Sequence, residues 1–164
     1  MRSDEMREKA IELFKQGMHC SQVLAMVGLE KLGITDPSVI KALGAFGGGI
    51  GGTGNICGTL VGAVSVIGSL YSRGSLEEKE NPRMWAATKK ILKNFEALTA
   101  QHGGINCCHI ARVDWMNRDQ VKEFYSNPES RRQHCLTIVG ETAKALGELL
   151  EQEAEIMSAK KDGK

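Results

Sequence analysis

Apolar residues recur every three or four positions along almost the whole chain, and this spacing constrains the fold more than any other feature. No stretch alternates apolar and polar residues over the length that a half-buried strand needs. The pattern therefore predicts an all-α fold, a compact bundle of about five to six helices. We expect helices over 4–16, 22–32, 37–46, 55–71, 82–102 and 128–157, with one or two further turns over 107–114.

Capping residues and a long apolar run define some of these helices more closely. Ser21 is expected to cap the second helix, and Asp36-Pro37 to open the third. Ser75 and Glu78 have the spacing of a capping box. Residues 56–70 carry no charge but are shorter than the roughly 20 apolar residues that cross a bilayer. This run predicts a buried central helix, and the protein is not expected to span a membrane.

Length and charge restrict the class of protein. The 164 residues fit one domain over 1–157, followed by a charged tail over 158–164 that is expected to fray. With 21 Lys and Arg against 20 Asp and Glu, the net charge of +1 gives no strong attraction for nucleic acid. The N-terminal residues lack the apolar segment of a secretion signal, which predicts a cytoplasmic protein. The long final helix offers a surface for a homodimer.

Five cysteines are more than a domain of this length needs for stability. In a reducing cytoplasm they are core residues, metal ligands or redox groups, because persistent disulfides are rare there. Cys20 and Cys57 lie at predicted helix starts, where free amide groups favour the thiolate, and Cys107 follows a glycine turn. Each cysteine alone is explained as a core residue, whereas their shared position at helix starts indicates a site. Both explanations stay open.

The spacing of the cysteines narrows the chemistry of such a site. The chain has no C-x2-C pair, which argues against a zinc ribbon and a thioredoxin-like motif. Cys108-His109 lacks the upstream cysteine of a covalent c-type haem site. The neighbours Cys107 and Cys108 leave two alternatives: one belongs to the site while the other is a core residue, or the two form a strained disulfide. Tertiary packing must bring the remaining cysteines together.

A glycine-rich segment, residues 47–54, contains the spacing G-x-G-x-x-G. A helix rather than a strand precedes it and no acidic residue follows at the required distance, so the context of a dinucleotide site is missing. The segment is then either a tight turn between closely packed helices or a loop that wraps a small cofactor beside Cys57. In the second case the residues that would contact the cofactor are Gly48, Gly49, Gly51, Gly54 and Gly58.

The segment Cys57-Gly-Thr-Leu-Val-Gly62 resembles the CGAxxG motif of the C_GCAxxG_C_C family of redox proteins. The preceding residues 46–54 are similar to the glycine stretch of that family. The order of the other cysteines also fits: Cys20 before a serine, Cys107 after a glycine turn and Cys135 in the last helix. The resemblance covers about residues 10–150, and it departs from the family where Thr59 replaces alanine and where Cys108 adds a second candidate for the third cysteine.

The resemblance implies an all-helical domain with four characteristic cysteines, redox activity and genes often associated with transport. We therefore expect electron transfer through an iron–sulfur cluster on Cys20, Cys57, Cys107 and Cys135, with Cys108 as the alternative to Cys107. The expected partner is a redox protein, linked to a membrane transporter. Two other functions stay open: a thiol–disulfide oxidoreductase in which Cys20 or Cys57 attacks the substrate, and a structural module with zinc or no metal.

Overall fold

Helices account for nearly all the regular structure of the protein. The structure, a computed structural model, describes the backbone of residues 1–162 and the side chains of residues 1–159. In this part of the chain there are eight α-helices and no strand, which confirms the predicted all-α class and exceeds the predicted number of helices. The helices are α1 (Ser3–Lys15), α2 (Cys20–Lys31), α3 (Pro37–Ala42), α4 (Gly58–Tyr71), α5 (Arg83–Thr99), α6 (Cys107–Ile110), α7 (Arg118–Ser126) and α8 (Arg132–Asp162).

The long helix α8 organises the bundle. It packs along α1 and also contacts α2, α4 and α5, so that four helices bury apolar faces against it. Burial of these faces, at roughly 25 cal/mol per Å² of apolar surface, is the main favourable term in forming the bundle. The core includes Met6 and Ala10 of α1, Val23, Leu24 and Val27 of α2, Ala63, Val66 and Ile67 of α4, Ile91 of α5, and Val139, Ala143 and Leu146 of α8.

The predicted buried helix over 55–71 is α4, which begins at Gly58 with Cys57 as its N-cap. It lies unusually close to α2, because a Cβ atom at Gly62 would collide with the carbonyl oxygen of Ser21. The reciprocal glycine, Gly28 of α2, makes room for the side chain of Val66. This close packing brings the first residues of α2 and α4 side by side. Within residues 1–162, no helix has both the length and the apolar character of a membrane span.

Two capping predictions were wrong. Helix α2 begins at Cys20 with His19 as its N-cap, so Ser21 lies inside the helix. The Ser21 hydroxyl is buried and donates a hydrogen bond of 2.7 Å to the carbonyl oxygen of Leu43. No helix forms at Ser75, since the carboxylate of Glu78 accepts the N–H of Gly74 within a bend. In both cases the polar side chain that was expected to cap a helix, Ser21 or Glu78, forms a different hydrogen bond instead.

The C-terminal third contains a helix that the apolar spacing did not indicate, α7. The final helix starts at Arg132 instead of directly after Pro128, and it continues to Asp162 instead of ending near Met157. Of the tail predicted over 158–164, residues 158–162 continue α8, and residues 163–164 lie outside the described residues.

Candidate functional site

Four of the five cysteines line one cavity of about 320 Å³ at the end of the bundle where α2 and α4 begin. Cys20 is the first residue of α2, Cys57 caps α4, Cys107 is the first residue of α6, and Cys135 lies in the first turn of α8. The structure therefore brings together the four cysteines that were singled out from the sequence. All five cysteines of the chain have free thiols.

The remainder of the cavity wall consists mainly of apolar and aromatic side chains and glycine backbone. Among the described residues that line it, there is no Asp, Glu, Lys or Arg. The non-cysteine lining includes Phe14, Met18, His19, Thr59, Ile110, Trp115, Phe124, Tyr125 and Ile138, together with the backbone of Gly44, Gly47, Gly48, Gly51 and Gly52. A group bound here would meet sulfur, aromatic rings and backbone rather than charged side chains.

Cys20 and Cys57 are neighbouring thiols that shift each other's pKa. The contact with Cys20 is the largest influence on Cys57 and lowers its pKa to about 7, aided by the hydroxyl and N–H of Thr59 and opposed by burial. The same contact, together with burial, raises the pKa of Cys20 well above its usual range. Gly58 makes the contact feasible, because a Cβ atom there would lie 2.7 Å from the Cys20 Sγ.

The other two cavity cysteines favour the protonated state when no metal is bound. Burial raises the pKa of Cys107 to about 11, although a hydrogen bond from Trp115 acts in the opposite direction. In that bond the indole Nε1–H donates to the Cys107 Sγ over 3.3 Å. Burial also raises the pKa of Cys135 far above its usual range. Cys57 is thus the thiol of the cavity that most readily becomes a thiolate.

Cys107 and Cys108 separate to different sides of the short helix α6. Cys107 is 7% exposed and faces the cavity. Cys108 is exposed, packs behind Gly54 and borders a separate groove that also contains Arg112 and Asp114. Side chains of consecutive helical residues point in different directions. The structure therefore places Cys107 in the cavity. The two neighbouring cysteines do not form a disulfide, since both thiols are free.

The glycine-rich segment is a left-handed turn. Residues 48–52 all have positive φ angles, between 63° and 75°, and Ile50 is the one residue among them with a side chain. Glycine adopts this conformation without steric cost, whereas other residues pay roughly 1–2 kcal/mol each. The turn follows a 3-10 helix at Gly44–Phe46 and not a strand. The glycines are thus explained by backbone conformation, and the nucleotide fingerprint lacks its structural context.

The five glycines predicted to contact a cofactor occupy three different places. Gly48 and Gly51 line the cavity. Gly49 and Gly54 lie behind it, where a Cβ atom would lie 2.7 Å from Cys107 Cβ and 3.2 Å from Cys108 Cβ respectively. Gly58 packs against Cys20. The N–H groups of Gly51 and Gly54 donate to the carbonyl oxygens of Ala45 and Gly48, so these two amides are used within the turn.

Three aromatic residues of the wall were not found from the sequence: Trp115, Phe124 and Tyr125. Phe124 lies edge-to-face against both neighbours, with ring centroids 5.2 Å apart in each case. The sequence does contain one signal for this segment, because Asn117 caps α7 by accepting the N–H groups of Asp119 and Gln120. That signal locates a helix start but does not indicate that the helix closes a cavity.

Of the three histidines adjacent to cysteines, His19 borders the cavity. His134 instead packs edge-to-face on His102, with ring centroids 5.0 Å apart. Burial is the main cause that lowers the pKa of both these imidazoles, and Arg131 lowers it further. His109 lies on α6 beside Gly104 and does not border the cavity.

The donor set of the cavity consists of soft sulfur ligands. Among the described residues, no group of three or more His, Cys, Asp or Glu is arranged to hold a metal ion. The four sulfurs therefore surround a shared space and do not converge on one point.

Comparison with protein-family models gives a match to this chain. The family model described as "Putative redox-active protein (C_GCAxxG_C_C)" matches residues 18–149, a segment that includes all four cavity cysteines and the left-handed glycine turn. No curated protein and no solved structure matches the chain. The family match covers most of the length of the chain, and the expected resemblance is confirmed. The chain therefore belongs to the C_GCAxxG_C_C family.

Proposed function

We propose that this protein carries electrons by means of an iron–sulfur cluster held by Cys20, Cys57, Cys107 and Cys135. One observation carries the proposal: four cysteines from distant parts of the chain line one cavity, and the described residues of its wall include no Asp, Glu, Lys or Arg. The redox activity in the description of the family supports it at a coarser level.

The residues present fit such a group. Four cysteine thiolates are the usual ligand set of small iron–sulfur clusters, and soft sulfur donors suit iron in this form. A cluster distributes its ligands over two or more iron atoms, so it does not require three sulfurs to meet at one point. When bound, it would supply reversible one-electron transfer.

The protein's own groups would stabilise the charge of the bound thiolates. Cys20 and Cys57 lie at the N-termini of α2 and α4, where the partial positive charge of a helix favours an anion. Aromatic and aliphatic side chains form much of the remaining wall, so the surroundings of a bound group are mainly of low polarity. Burial and solvent access are among the factors that set the potential of a metal site.

Anaerobic purification followed by analysis of iron, sulfide and zinc in one sample tests the proposal. The expected result is matched iron and sulfide together with visible charge-transfer absorption. A colourless protein without iron would contradict the proposal. Zinc without sulfide would instead support the structural metal module.

A second candidate function, thiol–disulfide exchange, is favoured by the neighbouring thiols of Cys20 and Cys57 and by the lowered pKa of Cys57. The Cys57 thiolate would attack a substrate disulfide, form a mixed disulfide and release one substrate thiolate, which takes up a proton. The Cys20 thiol would then lose its proton and attack the Cys57 sulfur, releasing the second substrate thiol. The substrate disulfide gains two electrons and the two cysteines become one disulfide. Mass spectrometry of metal-free protein after reaction with a small disulfide would detect the Cys20–Cys57 bond.

An electron carrier also requires a donor and an acceptor. We propose that these are redox proteins of the cytoplasm, where free thiols are kept reduced, and that one of them is linked to a membrane transporter. We further propose a homodimer. Light scattering on the purified protein tests the oligomeric state, and a monomeric mass at micromolar concentration would contradict it.

A further inference from the structure

Trp115 holds a fixed position between the glycine turn and Cys107. Its indole Nε1–H donates to the Cys107 Sγ over 3.3 Å. Its ring packs edge-to-face on Phe124, with the centroids 5.2 Å apart. On the other side it lies against the left-handed turn, where Cβ atoms at Gly48 and Gly52 would lie 3.2 and 3.3 Å from its side chain. The indole is therefore confined on two sides, and its N–H points at the sulfur.

A hydrogen bond donated to sulfur stabilises the sulfur more strongly as its negative charge increases. Thiolate is favoured over thiol, and the reduced form of a thiolate-bound centre is favoured over the oxidised form. Because Cys107 is 7% exposed and the surrounding wall is mainly apolar, water competes little for this bond. The strength of the bond is thus expected to appear in the redox equilibrium of the site.

We propose that Trp115 is a positioning residue that shifts the four-cysteine site toward its reduced state by donating its indole N–H to Cys107. The inference rests on the proposed cluster, because Cys107 changes charge in electron transfer only as a ligand. It identifies a residue outside the cysteines and the glycine turn as one that sets the potential.

The chain provides a matched control for this role. Its two tryptophans are Trp115 and Trp85. Trp85 is 66% exposed, and its Nε1–H donates to the carboxylate of Glu80 on another part of the surface. Trp115→Phe removes the N–H at the site and keeps an aromatic ring, whereas Trp85→Phe makes the same chemical change away from it. Phe124→Leu loosens the packing of Trp115 but retains the donor.

The reduction equilibrium of the loaded protein is the first readout. Anaerobic titration against redox dyes, followed by visible absorbance, should show the ratio of reduced to oxidised protein falling roughly fivefold in Trp115→Phe, the effect of one ordinary hydrogen bond. Trp85→Phe should leave the ratio unchanged, and Phe124→Leu should change it much less than Trp115→Phe. An unchanged ratio in Trp115→Phe, or an equal change in Phe124→Leu, overturns the inference while the proposed cluster stands.

A second readout uses the metal-free protein and does not depend on the cluster. In Trp85→Phe protein, Trp115 is the sole indole emitter, and a thiol in contact with the ring quenches its fluorescence. Adding Cys107→Ala should raise and shift the emission, whereas adding Cys108→Ala should not. Equal emission in all three proteins overturns the contact and with it the inference. Absence of iron and sulfide from every variant overturns the proposed function itself and therefore the redox role of Trp115.

Discussion

Helices α4 and α8 each run between two ends of the molecule. The buried polar groups line a cavity at one end and are paired with one another at the other. At one end, Cys57 and Cys135 face the cavity. At the other, Tyr71 and Glu153 lie in a closed network. Glu153 is 1% exposed and accepts hydrogen bonds from Arg83 Nε over 2.6 Å, from Arg83 Nη2 over 2.8 Å and from the Tyr71 hydroxyl over 2.7 Å.

The two ends of these helices therefore have different roles, one in stability and one in chemistry. A buried carboxylate is costly unless it is paired, and at the Glu153 end the protein supplies every partner itself. At the cysteine end the thiols surround a cavity of about 320 Å³. The Glu153 network therefore fixes how α4, α5 and α8 pack, whereas the cysteine end retains groups that can bind or react. Changes at the two ends should separate stability from redox chemistry.

The largest expected effect is the loss of bound iron in Cys57→Ser. Serine is among the preferred N-cap residues, so the start of α4 should be preserved or improved while a soft ligand is removed. We expect iron and sulfide to be lost and cooperative thermal unfolding to be retained. Elemental analysis and circular dichroism on the same sample measure both. The control, Cys108→Ser, changes an exposed thiol outside the cavity and should retain full iron content.

At the opposite end, Arg83→Met should destabilise the fold without affecting the cysteine site. It leaves Glu153 buried without two of its donors, and Lys90 Nζ, 3.8 Å from the carboxylate, remains as a weaker partner. Breaking a buried ion pair in this way costs about 3 kcal/mol in the free energy of unfolding. Urea denaturation of the metal-free protein measures the loss.

An exposed ion pair provides a reference for the cost of Arg83→Met in the free energy of unfolding. Lys9 and Glu30 lie 2.6 Å apart but have side chains 44% and 50% exposed, so Lys9→Met should cost less than about 1 kcal/mol. If Arg83→Met and Lys9→Met cost the same, or if Arg83→Met lowers the iron content, the two ends are not separate in the way that we describe.

Two glycines of α4 sharpen the comparison along one helix. Gly58→Ala would bring a Cβ atom to 2.7 Å from the Cys20 Sγ and 3.0 Å from the Phe46 carbonyl oxygen. We expect a cost of about 1–3 kcal/mol in unfolding free energy together with reduced iron content, because Cys20 must move. At Gly68, no atom of the described residues outside its own stretch of helix backbone lies within 4 Å of the new Cβ. Gly68→Ala should therefore stabilise the helix by up to about 1 kcal/mol and leave the iron content unchanged.

The sequence predicted the helical class and the four cavity cysteines, but not how the cavity is closed. Periodicity identifies α4 because an apolar run has few alternatives, and the motif around Cys57 led to the family. Helix α7 was missed because Arg118–Ser126 is mostly polar, and its packing depends on Phe124. Trp115 was missed for a related reason, since its contact with Cys107 depends on tertiary packing and has no local signature. The presence of Cys20 and Cys135 in the same cavity is likewise a property of the packed bundle.

Capping residues failed where a tertiary contact used the same side chain. Ser21 has the chemistry of an N-cap, yet its hydroxyl is more favourably placed as a donor to Leu43, and His19 takes the cap position. The glycine turn shows the converse. Its composition suggested either a cofactor loop or a tight turn, and the structure shows a left-handed turn that also lines the cavity. The glycine composition indicates an unusual backbone conformation. Which residues lie next to that backbone depends on the tertiary fold and cannot be predicted from composition.

The smallest expected effect is the change with pH in the destabilisation caused by Arg83→Met. Hydrogen bonds from Arg83 lower the pKa of Glu153, and the Tyr71 hydroxyl acts in the same direction. A carboxyl group whose pKa is lower in the folded protein than in the unfolded chain, about 4.3, contributes stability above that value. The contribution is lost as the pH falls through the folded pKa. In Arg83→Met the carboxylate is buried without the two Arg83 donors and keeps only the Tyr71 hydroxyl and the more distant Lys90, so protonation at low pH relieves it. Urea midpoints measured from pH 7 to pH 4 should therefore show that the difference in midpoint between wild type and Arg83→Met narrows as the pH falls.

The control, Lys144→Met, breaks the exposed pair with Asp4, and its difference in midpoint from wild type should change less with pH. A gap that is constant with pH would show that Arg83 stabilises the fold by packing and not through the charge of Glu153.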